Sequence, residues 1–484
     1  MPIPKEILAV ERPKNTVVVC YGKNKDRYAV KQRIGCKYDK GRRVPVNGPT
    51  IGHIKNFLYV PKENDNHVRI NKSKPVLKDW ANIILADRLF KSIFEELCVV
   101  YHKQDALTLY CIAILRVCEP GIKDHELKEA YDNSFLSELY PDVSLSKNIV
   151  STFINDLGKT VNRIIEFMGN RAKNIALDHH LLIDGTLKFD ESKINTLSDF
   201  SRKAKVKGRR EISVLYAFDL ENREPVCSKC YPGNMLDLTA YEDFISESKI
   251  TRGIIVADKG FPSNMIKNYL KNNPDLHYLN PIRRNSNFIK NHHMLKFTNQ
   301  LENFEGITYR KEKVNGGNKY LYSFRDSKKA YIEEKDYLAR AKKNSNYNEE
   351  DFSSKQASFG TIVLESDYDM TPLEAYQAYS SRWEIELVMR FYKSACKFNE
   401  TRVQDDYSVI GSEFCDFLST ILTFRLINSF DKEKLLETNT YKKIMSVLRR
   451  AKKIKTNDND DWELINLNKG HEEILKKLKL IDEL

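Results

Sequence analysis

Three carboxylates stand where a polypeptide could place them side by side. Asp184 ends the apolar run "LLIDGT" and Asp258 ends "IIVADKG". Each run reads as a buried strand, and strands that finish together bring their last side chains to one edge of a sheet, where open α/β sheets bind ligands. The third lies in "YSSRWEIELVMRFYK", residues 379–393. On a helix turning about 100° per residue, Tyr379, Arg382, Glu386 and Lys393 fall within an arc of about 60°. Leu387, Val388 and Phe391 take the opposite side, while Glu384 points away from the polar stripe. One helix face thus offers a carboxylate, two cations and a phenol. Adjacent carboxylates repel one another, and divalent cations relieve that repulsion. Mg²⁺ favours hard oxygen donors completed by water and substrate phosphate. Two such ions about 4 Å apart suit in-line phosphodiester cleavage and transfer, in which water or a 3′-hydroxyl attacks and no side-chain nucleophile is needed.

The elements that must position these residues follow in a definite order. From residue 176, "NIALDHHLLIDGT", then two strands in "REISVLYAFDLENREPVCSKCYPGN" joined by a turn, the helix "LTAYEDFISESK", the strand before Asp258 and the helix "PSNMIKNYLKNN" read β-β-β-α-β-α. The expected fold class is α/β: an RNase H-like catalytic core, a mixed five-stranded sheet flanked by helices, over 176–275 and 366–430. Residues 276–365 read as a β-rich insertion. Ahead of the core lie a small β-rich unit (1–75) and a helical region (76–175) whose last helix is "NIVSTFINDLGKTVNRIIEFMGNRA". Residues 431–484 read as a helical, Lys-rich tail.

Composition narrows the partners. The 484 residues carry a net charge of +12, which favours a polyanion, above all nucleic acid. Basic clusters occur at 201–210, 281–285 and 448–455. No apolar run approaches the ~20 residues of a membrane span, and no basic-then-apolar leader opens the chain. The nine cysteines are scattered, which fits a reducing cytoplasm rather than a disulfide framework. No G-x4-GK[ST] is present, which argues against a nucleotide cofactor.

The segment Tyr379-x2-Arg382-x3-Glu386-x6-Lys393 resembles the Y-R-E-K signature of bacterial insertion-sequence transposases, the cut-and-paste DDE group typified by insertion-sequence family four. "IDGT" resembles the strand of the first Asp, "YPGNMLD" the turn before the next helix, and "ADKGF" the second-Asp motif, with Lys259 where Arg is common. The resemblance spans roughly 176–430. It implies that Asp184, Asp258 and Glu386 are catalytic and hold two Mg²⁺ ions, with Mn²⁺ able to substitute. It further implies that Tyr379, Arg382 and Lys393 contact phosphates of double-stranded transposon-end DNA, with target DNA as second substrate. Two chains would pair the ends as a homodimer, in a cytoplasmic, nucleoid-associated protein. The rivals are an RNase H-like nuclease that cuts without joining and a domesticated, inactive DNA-binding protein.

Lesser signals carry ordinary readings. Cys227 and Cys230 form a lone C-x2-C, short of the four ligands a structural zinc needs. The His pairs at 179–180 and 292–293 read as structural or surface residues, and Trp383 as packing beside its helix. The helical region 76–175 is the candidate for end recognition, with the β unit a possible contributor, and the C-terminal tail is the candidate pairing surface.

Overall fold

The structure is a computed structural model. It describes residues 3–22, 27–39, 41–62, 75–201, 206–235, 237–256, 263–314, 317–343, 348–382, 393, 397–457 and 460–482, with the backbone alone at 38, 39, 43, 45, 237, 238 and 263–267. Asp258, Glu386, Lys259, Trp383 and Glu384 lie outside the described residues. The chain divides into two compact units: Met1–Pro75 with Thr456–Asp460, and Val76–Lys455 with Asp461–Leu484.

The first unit is an antiparallel meander of β1 (Thr16–Tyr21), β2 (Arg27–Asp39), β3 (Arg42–Lys55) and β4 (Leu58–Pro61). Its core is small: Ile7, Val18, Val30 and Ile54 are buried together.

The second unit is built on one nine-stranded sheet. Its members are β6 (His180–Phe189), β7 (Glu211–Asp219), β8 (Glu224–Pro232), β9 (Gly253–Val256), β10 (Leu276–Pro281), β11 (Asn299–Gln300), β12 (Ile307–Val314), β13 (Lys319–Asp326) and β14 (Thr361–Ser366). Their order across the sheet is β11-β12-β13-β14-β10-β9-β6-β7-β8. β6, β7 and β8 are antiparallel neighbours, whereas β9 runs parallel to β6 and β10 parallel to β9. The mixed α/β class expected from the sequence is therefore present. The strands read as a β-rich insertion do not form a separate layer. β14 pairs antiparallel with β10 and carries β13, β12 and β11 outward, and β10 itself, placed in the insertion by the sequence, sits beside β9. The outer edge of β10 would otherwise leave a row of backbone groups unpaired, and β14 satisfies them.

Helices cover the sheet. The helix Asp406–Lys432 is buried on nearly every side, as an apolar-all-round helix must be. It meets the helix Lys147–Lys159 at unusually close range: a Cβ on Gly411 would lie 2.0 Å from the Ile154 carbonyl oxygen, and one on Gly158 1.9 Å from that of Tyr407. The segment read as one helix over 148–172 is two, Lys147–Lys159 and Val161–Lys173. They part at Thr160, whose hydroxyl donates to the Asp156 and Leu157 carbonyls and so competes with the helical ladder.

The helical region shares one continuous core with β6, β7 and helix Asp406–Lys432. The tail does too. It contains a helix, Tyr441–Arg450, then β15 (Lys452–Lys455) and β16 (Glu463–Leu464), and a last helix, Lys469–Lys477. β15 pairs with β5 (Val76–Asp79). Ile444, Met445, Leu448 and Leu475 are buried in that core, so the apolar face nominated as a pairing surface is already covered by the chain's own residues.

Candidate active site

Asp184 follows the fully buried Leu181, Leu182 and Ile183 on β6 but does not end the strand as its sequence implied, because β7 goes on pairing with β6 past Asp184↔Tyr216 as far as Phe189↔Glu211. It is half-buried, and Gly185, the next residue, is exposed. One carboxylate oxygen accepts the Gly185 N–H at 2.8 Å. The parallel register of β6 with β9 runs His180↔Ile254, Leu181↔Ile255, Leu182↔Val256. Asp184 is two residues beyond Leu182, and in the sequence Asp258 is two residues beyond Val256.

The Pro-Gly-Asn turn after β8 is held against the opposite strand edge. A Cβ on Gly233 would lie 2.1 Å from the Glu211 carbonyl oxygen and 2.7 Å from that of Asp199, which only glycine tolerates. Asn234 donates to Asp199 at 2.6 Å. Glu211, at the start of β7, is buried. Burial pushes its carboxyl above the usual range, and the charge of Lys393 pulls it part of the way back. Lys393, half-buried in a helical turn, therefore faces a carboxylate of its own chain.

Tyr379 and Arg382 belong to another neighbourhood. The helix Pro372–Ser380 starts with a capping box between Thr371 and Glu374 and a Pro in its first turn, signals that stop fraying and fix the entry angle. Tyr376 packs against Phe304 and Phe324, each with ring centroids 5.0 Å away. Tyr379 lies against the same core, and the Arg382 guanidinium stacks on its ring at 5.5 Å. Both line an open cleft of about 520 Å³ with Arg284 and Lys329. Arg284 is anchored by Glu333 through two bonds, 2.7 and 2.9 Å. Of the six expected site residues, the described structure thus places Asp184 on the sheet, Tyr379 and Arg382 on the cleft wall, and Lys393 beside Glu211.

A buried ionic network escaped the sequence reading. Lys188, four residues past Asp184 on the same face of β6, is 1% exposed. It donates to Asp416 at 2.9 Å and to Glu413 on helix Asp406–Lys432. Arg116 reaches Asp416 at 2.7 Å and Asp124 at 3.0 Å. Burial alone would depress the Lys188 pKa, but Asp416 and Glu413 outweigh it and raise it. Burial raises the Glu413 carboxyl, only partly opposed by Lys188. The signal was present as a lysine at an inward position of a mostly apolar strand and as two carboxylates three apart in an apolar helix. Its meaning needed the tertiary pairing.

The other candidates resolve simply. Arg449 donates to the Cys118 carbonyl at 2.6 Å, Lys452 pairs with Asp79 at 2.6 Å, and Lys453 lies over Trp80 at 4.6 Å. That basic cluster therefore serves the fold. The Cys227 thiol is buried and pushed up to about 12 by desolvation, and burial likewise raises Cys230 well above the usual range. His179 bonds Asp219 at 2.8 Å and His180 bonds Glu221 at 2.7 Å. His179, Asp219 and Glu221 form the one described group of three with metal-ligand proximity, at the start of β6, about 16 Å along the strand from Asp184 at ~3.3 Å per residue. Among the described residues no helix is long and apolar enough to cross a membrane.

No curated protein matches the sequence. Among solved structures, the chain is similar to the piggyBac transposase of a synaptic complex with hairpin DNA determined by cryo-EM, with 14% identity, a TM-score of 0.40, and coverage of 78% of this chain and 82% of that one. The sequence model described as "Transposase DDE domain" matches residues 176–407, the stretch that holds Asp184, Asp258, Glu386 and the Y-R-E-K residues. Over residues 176–407, just under half of its length, the chain is similar to the transposase DDE domain.

Proposed function

We propose that the protein is a DNA transposase of the insertion-sequence family-four type, cutting at transposon ends and joining them to target DNA. The observation that carries this reading is the similarity to the DDE domain over 176–407, within which Asp184 lies midway along β6, directly after the buried Leu181, Leu182 and Ile183. The strand order β8-β7-β6-β9-β10, antiparallel on one side of β6 and parallel on the other, supports an RNase H-like core.

DDE domains act with divalent metal, and the donor set here fits one. Asp184, Asp258 and Glu386 would hold it, all hard oxygen donors, and the described Asp184 carboxylate is half-exposed on a strand that ends its pairing with β9 just before it. Bound there, two Mg²⁺ ions would activate the attacking oxygen and stabilise the leaving one. Attack by water breaks the phosphodiester and leaves a 3′-hydroxyl. Attack by that hydroxyl on a target phosphodiester forms the new P–O bond and releases the target's own 3′-oxygen. Arg382, braced on Tyr379, would hold a backbone phosphate at the cleft, and Lys393 a second. Paired ends require two copies of the chain, most simply a two-fold dimer formed on DNA.

Nicking and joining of a duplex that carries the inverted repeat bordering the gene test the reading. The wild type should do both in Mg²⁺. Asp184→Asn, Asp258→Asn and Glu386→Gln should each abolish both while sparing DNA binding. Cleavage retained in any of the three overturns the triad, and nicking without joining favours a nuclease.

A further inference from the structure

We propose that the N-terminal unit grips duplex DNA through a two-stranded β-ribbon, Arg33–Asp39 of β2 against Arg42–Asn47 of β3, lying in the major groove. The proposal rests on the transposase reading for the identity of the DNA, though not for the binding itself.

Charge is the first observation. Residues 1–75 hold 17 Lys and Arg against 6 Asp and Glu, a net +11 out of the chain's +12. The helical region 76–175, where end recognition was expected, holds 12 against 14, a net −2. Since phosphate neutralisation supplies most of the affinity for duplex, the β unit and not the helical region has the right sign. The helical region's apolar side chains are in addition committed to the core it shares with the sheet.

Shape is the second. β1 pairs with β2 only from Arg27 to Gln32, and β4 with β3 only from Gly52 to Lys55. Just beyond those limits the Arg33 N–H still donates to the Asn15 carbonyl and the Lys62 N–H to that of Ile51; from Gly35↔Val46 outward β2 and β3 pair with each other alone, to Asp39↔Arg42. At ~3.3 Å per residue the free part of the ribbon extends about 15 Å. Register shifts at Val30/Lys31, Lys31/Arg33 and Arg33/Gly35 mark where it bends away, since bulges bend a strand and increase its twist. No ribbon residue belongs to the unit's buried cluster.

A lone ribbon exposed on both faces has no reason to exist inside the unit. Ile34 is 66% exposed, and Val44 and Val46 are exposed as well. Arg33, Lys37 and Arg42 are exposed, and none forms a salt bridge among the described residues. Cations interleaved with small apolar groups suit a major groove, about 12 Å wide and able to admit a two-stranded ribbon, where phosphates flank thymine methyl groups.

The test compares full-length proteins binding a duplex with the element's terminal sequence, without divalent metal, across a salt series. The triple variant Arg33→Ser, Lys37→Ser, Arg42→Ser should weaken binding at least about tenfold at physiological salt and reduce the log–log salt slope by about 2.7, near 0.9 per lost phosphate contact. Its melting temperature should match the wild type. Lys91→Ser, Lys103→Ser, Lys147→Ser removes equal charge from exposed positions of the helical region and should leave both values unchanged. Methylation of dG N7, which blocks the major groove, should interfere with wild-type binding. An unaltered slope in the ribbon variant, a loss in the helical variant instead, or insensitivity to N7 methylation overturns the proposal. So does binding that the ribbon variant loses on anionic lipid vesicles but keeps on DNA. A wild type that binds through the ribbon yet never nicks defeats the transposase reading alone.

Discussion

Lys188 and Asp416 meet at 2.9 Å between the strand that carries Asp184 and the buried helix Asp406–Lys432, with side chains 1% and 8% exposed. An ammonium that deep persists only because two carboxylates hold it. Lys188→Ala leaves Glu413 and Asp416 buried against each other, and should cost about 3–5 kcal/mol of stability by denaturant titration. Combining Lys188→Met with Glu413→Gln should recover a large part of the loss. If the double variant is no more stable than the single, the pairs do not carry the energy assigned to them.

The crossing of helices Lys147–Lys159 and Asp406–Lys432 depends on two missing methyl groups. Gly411→Ala must push backbone against backbone, since its Cβ would lie 2.0 Å from a carbonyl oxygen. The expected loss is about 1–3 kcal/mol or more. Gly208→Ala, where nothing lies within 4 Å but φ is +83°, should cost less. Thermal melts of the two variants rank them.

Arg382 and Lys393 should separate in their effects. Arg382→Ala opens the cleft wall and should reduce the salt slope of end-DNA binding by about one. Lys393→Ala strips the buried Glu211 of its neighbouring cation. It should lower the melting temperature near neutral pH, where Glu211 is charged, and have little effect near pH 4, where the carboxyl is protonated. An unchanged salt slope in Arg382→Ala would contradict the first assignment, and a pH-independent melting difference in Lys393→Ala the second.

The His179–Asp219 bond predicts a pH window. Burial lowers the His179 pKa, but the Asp219 bond and charge outweigh it, and the net shift is upward from 6.5. A raised histidine stabilises the fold fully below its unfolded pKa and loses that contribution as pH rises through the folded value. The stability advantage of wild type over His179→Gln should therefore be greatest near pH 6 and shrink through pH 7 and above. A difference that grows with pH would reverse the sign and remove the ion pair.

Truncation after Leu435 should unfold the second unit. It removes the buried Ile444, Met445, Leu448 and Leu475, each worth about 1.5–3 kcal/mol, a sum comparable with the whole net stability of a typical domain at about 5–15 kcal/mol. A soluble, cooperatively melting fragment that merely fails to pair DNA ends would show the tail to be an accessory instead.

Local pattern sufficed for much of the molecule. The apolar runs before Asp184 and Asp258 and the Pro-Gly-Asn turn are short-range features, whereas the single helix read through Tyr379, Arg382, Glu386 and Lys393 is interrupted: the helix that carries Tyr379 ends at Ser380. Period and spacing report such short-range features directly. Alternation and turn residues likewise marked β7 and β8 within a residue or two. What only the tertiary structure decided concerns partners distant in sequence. Nothing near Lys188 announces Asp416, 228 residues away. β10 reads the same whether it begins an insertion or completes a sheet until β9 and β14 are seen on either side of it. The tail's amphipathic helix looks like a free surface until its apolar face is found in the core. The basic clusters look alike in sequence, yet the one at 448–455 braces Trp80 and Asp79 while Arg33, Lys37 and Arg42 stand in solvent on an unsupported ribbon. Periodicity states that a face is apolar or charged. Which surface meets it depends on how the chain closes over long separations.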